Sequence, residues 1–143
     1  MAKFVTIGER IHCISPVIRK AMEEMNPEPI LKRAKEQLDA GATYLDVNIG
    51  PAENNGEELM KWAVTTIQDA FDNVPLALDT ANMKAIEAGI SVYNRSKGKP
   101  IVIALCSAEG IAADNDERMM HCQNMLERGT MQGMDPSDLW FDP

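Results

Sequence analysis

Short β-forming runs alternate along this chain with longer stretches in which apolar residues recur every three or four positions, the two periods that separate strands from amphipathic helices. Phe4-Val5-Thr6-Ile7-Gly8-Glu9 reads as a first strand ending on a glycine and a carboxylate. A loop then leads to Asn26-Pro27-Glu28-Pro29, where asparagine suits an N-cap, proline the first turn and glutamate the positive end of the helix dipole. Ile30, Leu31, Ala34 and Leu38 follow at helical spacing, and Gly41 ends that helix. Tyr44 to Gly50 is a second strand. Leu59 to Phe71 is a second helix with Leu59, Trp62, Ala63, Thr66, Ile67 and Ala70 on one face. Pro75 to Thr80, Asn82 to Tyr93, Ile101 to Cys106, Asp116 to Met131 and Leu139 to Pro143 continue the alternation as strand, helix, strand, helix and strand. The run from Ile101 is the most continuous, as expected of a strand buried on both faces.

Strand and helix in turn with short connections force parallel neighbours and right-handed crossovers, which leaves a doubly wound sheet or a barrel. Polar groups stand at the ends of successive strands: Glu9, Asp46 with Asn48, Asp79, Ser107 and Asp142. In a barrel those ends converge on one mouth, whereas an open sheet spreads them along an edge. The expected fold is therefore α/β, a partial or truncated (β/α)8 TIM barrel of about five parallel strands. Residues 1–143 read as one domain. A complete barrel takes about 250 residues and eight strands. Five strands would leave hydrogen-bonding edges and apolar inner faces open, so the chain is expected to assemble with itself or another polypeptide, or to be part of something longer.

Composition removes several function classes. At 45% hydrophobic and 25% charged residues the chain is an ordinary globular protein. No apolar run reaches the ~18 residues of a membrane span, and the first residues lack the pattern of a signal peptide, so a cytoplasmic protein without membrane contact is expected. A formal net charge of −8 repels phosphate backbones and argues against nucleic acid. The first strand is followed by neither a GxGxxG nor a GKS/GKT loop, which disfavours dinucleotides and P-loop nucleotides. Cys13, Cys106 and Cys122 have no CxxC spacing, and the pairs His12-Cys13 and His121-Cys122 match no zinc pattern, so neither disulfide framework nor metal site is expected.

Five short motifs in order resemble the pterin-binding methyltransferases: Ile7-Gly8-Glu9-Arg10-Ile11, Leu45-Asp46-Val47-Asn48-Ile49-Gly50, Leu78-Asp79-Thr80, Lys84-Ala85-Ile86-Glu87-Ala88-Gly89 and Phe141-Asp142-Pro143. The resemblance implies a barrel of the dihydropteroate synthase kind. It also implies an enzyme that moves a methyl group from methyltetrahydrofolate to the cobalt of a corrinoid carried by a partner protein. Two departures stand out. The family's strand with an Ile-Asn-Ser context is absent where Asn94 to Pro100 leads into Ile101, so one strand–helix unit near 95–100 is missing. A further asparagine of the family falls beyond Pro143. These asparagines best match the activation step, so no catalytic residue is assigned here. The alternative reading is a non-catalytic truncated module that binds pterin or a partner chain.

A reduced pterin presents N–H donors beside a carbonyl, and carboxylates accept from paired N–H groups. The resemblance assigns Asp79 and Asp142 to that edge, with Asp46 and Asn48 lining the same mouth. Asp79 could instead cap the helix near Asn82, Asp142 could mark an Asp-Pro turn, and Glu9 is open between the site and a salt bridge with Arg10 or another cation. Met119, Met120 and Met125 read as adaptable core, as does Trp62. Arg95, Lys97 and Lys99 read as a solvated basic turn that a folate's glutamate tail could use. Cys106, with no histidine placed to activate it, reads as a buried structural thiol.

Overall fold

The computed structural model describes residues 4–52, 54–105 and 112–142; at 104, 105 and 142 it describes the backbone alone. Five strands, β1 (Ile7–His12), β2 (Tyr44–Asn48), β3 (Leu76–Asp79), β4 (Ile101–Leu105) and β5 (Leu139–Asp142), form one parallel sheet in the order β1-β2-β3-β4-β5. The helices are α1 (Pro16–Glu23), α2 (Pro27–Asp39), α3 (Gly56–Ala70), α4 (Met83–Val92) and α5 (Asn115–Met131). Among the described residues no helix is long and apolar enough to cross a membrane.

Sequential strand order decides between the two parallel architectures. A doubly wound sheet reverses its order at a switch point and carries helices on both faces, whereas right-handed crossovers that always step the same way leave every helix on one face. The sheet also curls. Tyr44 on β2 and Trp140 on β5 are three strands apart, roughly 14 Å on a flat sheet. Their ring centroids lie 6.0 Å apart. This is the curvature of a partial barrel, with helices on its convex side.

Side-chain alternation then sorts the strand residues. Leu45, Val47, Leu76, Leu78 and Val102 are buried in the main apolar core with Ile30 and Ala34 of α2, Met60, Val64 and Ile67 of α3 and Ile86 of α4. Tyr44, Asp46, Asn48, Ala77, Asp79, Ile101 and Trp140 take the other, concave face, as their register requires.

Two elements depart from the sequence reading. β1 starts at Ile7 rather than Phe4, whose side chain is 93% exposed, and runs on to His12 through a register shift between Gly8 and Ile11. The shift inserts one residue opposite Asp46 and would leave a backbone donor without a ladder partner. Buried Gln37 on α2 takes it: its Oε1 accepts from the Arg10 N–H at 2.7 Å, and its Nε2 donates to the Arg33 carbonyl at 3.2 Å. Gly8 makes the room, since a Cβ there would sit 2.7 Å from that same Oε1. Gln37→Leu keeps the volume and strands the Arg10 donor, so it is expected to cost about 1–3 kcal/mol in urea unfolding. A loss under about 0.5 kcal/mol would mean the bulge is not held this way.

The second departure is α1, expected to be loop. It has no acidic residue in its first turn and Ser15 makes no side-chain cap, so the usual start signals are weak. Pro16 at its start and the buried Ile18, Ala21 and Met22 are the signal that marks it. Elsewhere the expectations hold within a few residues: Asn26 caps α2 by accepting from the Glu28 N–H, and Gly41, at φ +90°, follows its end.

Met119 and Met120 are exposed rather than core, because α5 buries little beyond Gly129; Trp62 is half-buried against the core. The basic residues before β4 lie at the N-terminal ends of the strands, opposite the end where Asp79 stands. Arg95 and Lys99 are exposed, as expected of a solvated turn, and each residue also has a partner: Lys97 pairs with Asp72 at 2.6 Å, Arg95 donates to the Gly133 carbonyl at 3.1 Å, and Lys99 is 3.6 Å from buried Asp138.

Candidate functional site

The C-terminal ends of β1, β2 and β3 bring a row of polar side chains onto the concave face. The register pairs His12 with Asn48 and Asn48 with Asp79. Asn48 Nδ2 donates to Asp79 Oδ2 at 2.7 Å, and Asn48 Oδ1 accepts from the Gly50 N–H at 2.9 Å. The amide is thereby fixed in one orientation, and Asp79 is held facing the mouth.

Asp79 is not the cap of α4. That role belongs to Asn82, whose Oδ1 accepts from the Ala85 N–H while its Nδ2 donates to the Ala52 carbonyl. Thr80 donates to the Gly50 carbonyl at 2.6 Å and accepts from the Asn82 N–H, which ties the loop after β2 to the loop after β3. The capping alternative is thus taken up by neighbours, and Asp79 is left to the concave face.

One layer below, Asp46 is 4% exposed and its Oδ1 is enclosed without a hydrogen-bond partner among the described residues. Burial, then the Asp79 carboxylate, then Glu9 push its carboxyl up from 3.8 to about 7. Glu9 is exposed and near enough to Asp46 to contribute to that field. Its salt-bridge alternative is not realised among the described residues: Arg10 pairs instead with Glu36 at 3.1 Å. Three carboxyl groups, one of them buried and poorly partnered among the described residues, therefore meet at one mouth, which makes it rich in hydrogen-bond acceptors.

The structure brings Glu9, Asp46, Asn48 and Asp79 together. The backbone of Asp142 ends β5 in register with Leu105. Its side chain, together with Cys106, Ser107 and the Glu109 to Ile111 stretch, falls outside the described residues. His12 is the member of the row that the sequence reading set aside. Its place opposite Asn48 depends on the bulge in β1, which no local pattern announced. Cys13 beside it is a thiol raised above its ordinary value, chiefly by burial. Among the described residues no cluster of three His, Cys, Asp or Glu is placed to hold a metal ion.

A cavity of about 360 Å³ lies on the helix side of the sheet, between α4 and α5. Met83, Ile86 and Met125 line it, and the Arg128–Glu87 ion pair at 2.9 Å bridges the two helices beside it. None of the buried unpartnered polar atoms among the described residues belongs to its lining; two of them, His12 Nδ1 and Asp46 Oδ1, lie on the concave face.

Comparison with known proteins shows the family of the chain. The family described as pterin-binding enzyme matches residues 15–103, a segment that contains Asp46, Asn48 and Asp79. A methylcorrinoid:tetrahydrofolate methyltransferase of Eubacterium limosum is 36% identical over 110 residues, which make up 77% of this chain and 39% of the relative. The chain thus spans about two-fifths of the length of the relative it matches.

Proposed function

The chain belongs to the pterin-binding enzyme family, and from that premise we propose that its concave mouth holds the pterin of a tetrahydrofolate for methyl exchange with a corrinoid's cobalt. The observation that carries this reading is the Asp46, Asn48 and Asp79 constellation: two carboxyl groups on one face, one of them oriented by a 2.7 Å bond from a fixed amide. Asp79 and Asp142 accept the N–H edge of the pterin, and Asp46, Asn48 and Glu9 line the mouth around it. The relative is named for transfer from methylcorrinoid to tetrahydrofolate, the reverse of the direction implied by the motif resemblance. One site serves both directions, because forward and reverse transfer pass through the same transition state.

The protein's part is positioning and proton management. A methyl group on a tertiary amine leaves readily once that nitrogen carries a proton, and in the reverse sense the secondary amine must give up its proton after attack. The corrinoid arrives on a partner protein, and the reaction runs in the cytoplasm. On the same reading the chain is one domain without a strand–helix unit near 95–100, where β3 and β4 pair directly. The edges at β1 and β5 are met by a second copy, by another polypeptide or by further chain of a longer protein.

Calorimetric titration with tetrahydrofolate and methyltetrahydrofolate tests binding, and loss of methylcobalamin absorbance in the presence of tetrahydrofolate tests transfer. Micromolar binding with transfer is the expected result. Binding without transfer, with a corrinoid partner supplied, would leave the non-catalytic pterin module standing. No binding of either folate would remove the pterin reading.

A further inference from the structure

Resting on the pterin reading above, we infer that His12 supplies the hydrogen-bond donor that reads the carbonyl of the bound heterocycle. The row across the strand ends is rich in acceptors: Glu9 and Asp79 contribute carboxyl oxygens, Asp46 does so once a donor from the ligand displaces its proton, and the Asn48 amide is engaged with Asp79 and Gly50. A ring whose edge runs amino, ring N–H, carbonyl satisfies the acids with its two donors and leaves its carbonyl oxygen seeking a donor. His12, half-exposed and opposite Asn48 in the register, stands at that corner.

Neither ring nitrogen of His12 has a hydrogen-bond partner among the described residues, and Nδ1 is the one shut away from solvent. An enclosed N–H without an acceptor is a rarer thing than an enclosed lone pair without a donor. The proton of the neutral ring therefore belongs on Nε2, which makes the open nitrogen a donor. This assigns His12 a specificity role: it favours a 4-oxo ring and disfavours a 4-amino ring, whose own N–H groups would meet the imidazole N–H head on.

The test compares tetrahydrofolate with its 2,4-diamino counterpart by titration calorimetry on the wild type, His12→Phe and His12→Asn. The wild type is expected to prefer the 4-oxo ligand, the preference to fall about tenfold in His12→Phe, and His12→Asn, which still donates, to recover most of it. An unchanged preference in His12→Phe overturns the inference, as does an equal loss for both ligands, which marks a structural role. Binding of neither ligand by the wild type would instead bring down the pterin reading, and this assignment with it.

Discussion

Asp79→Ala is expected to weaken methyltetrahydrofolate binding by about 10- to 100-fold, measured by titration calorimetry at pH 7. Hydrogen bonds to an ionised group contribute about 1.5–3 kcal/mol, and each 1.4 kcal/mol is tenfold in affinity. Two further effects reinforce the loss. Asn48 forfeits the partner that fixes its amide at 2.7 Å, so a second mouth residue loses its orientation. Asp46 loses the larger of the two charge effects that oppose its ionisation, so its carboxyl falls part of the way toward its ordinary range while burial still holds it up. Because removing a repulsion accompanies removing a hydrogen bond, the variant is expected to unfold near the wild-type denaturant midpoint. That separates a binding defect from a folding one. Equal affinity in the two proteins would dismantle the site.

Raising the pH from 5 to 8 is expected to destabilise the wild-type protein, and Asp46→Asn to flatten that fall. The Asp46 carboxyl ionises at 3.8 in its unperturbed state and at about 7 in the fold. Below 3.8 both states hold the proton and nothing is lost. Between the two values the unfolded chain ionises while the folded one does not, so stability declines as pH rises and the decline is complete above 7. The span corresponds to ~4 kcal/mol, an upper figure because relaxation and water entry lessen the cost of charging a buried carboxyl. Glu36, Asp72 and Asp135 behave in the opposite sense. Arg33, Lys97 and Ser137 respectively hold them below their ordinary values, so they cost stability as pH falls, in a lower window. Urea unfolding at pH 5, 6, 7 and 8 resolves the two. Parallel profiles for wild type and Asp46→Asn would show that Asp46 keeps its charge in the fold. A ligand that donates N–H groups to Asp46 favours its carboxylate, so affinity for tetrahydrofolate is expected to strengthen over the same interval, with proton release on binding.

Much of this molecule is local and was therefore legible. Asn26 before Pro27, Gly41 after the helix, and the apolar spacing of α2, α3 and α4 are short-range steric and hydrogen-bonding preferences, written within a few residues of where they act. The alternation of strand and helix likewise carried the parallel architecture, and the ordered motifs around Asp46, Asn48 and Asp79 carried the family. What required the fold is everything set by distant partners. The β1 bulge exists because Gln37, 27 residues away, accepts the Arg10 N–H. Asn82 rather than Asp79 caps α4 because the helix begins at Met83, while strand register sets Asp79 on the concave face beside the Asn48 amide. The high ionisation point of Asp46 comes from enclosure and from charges on neighbouring strands, and burial and Coulomb fields are properties of three-dimensional proximity that sequence order does not carry.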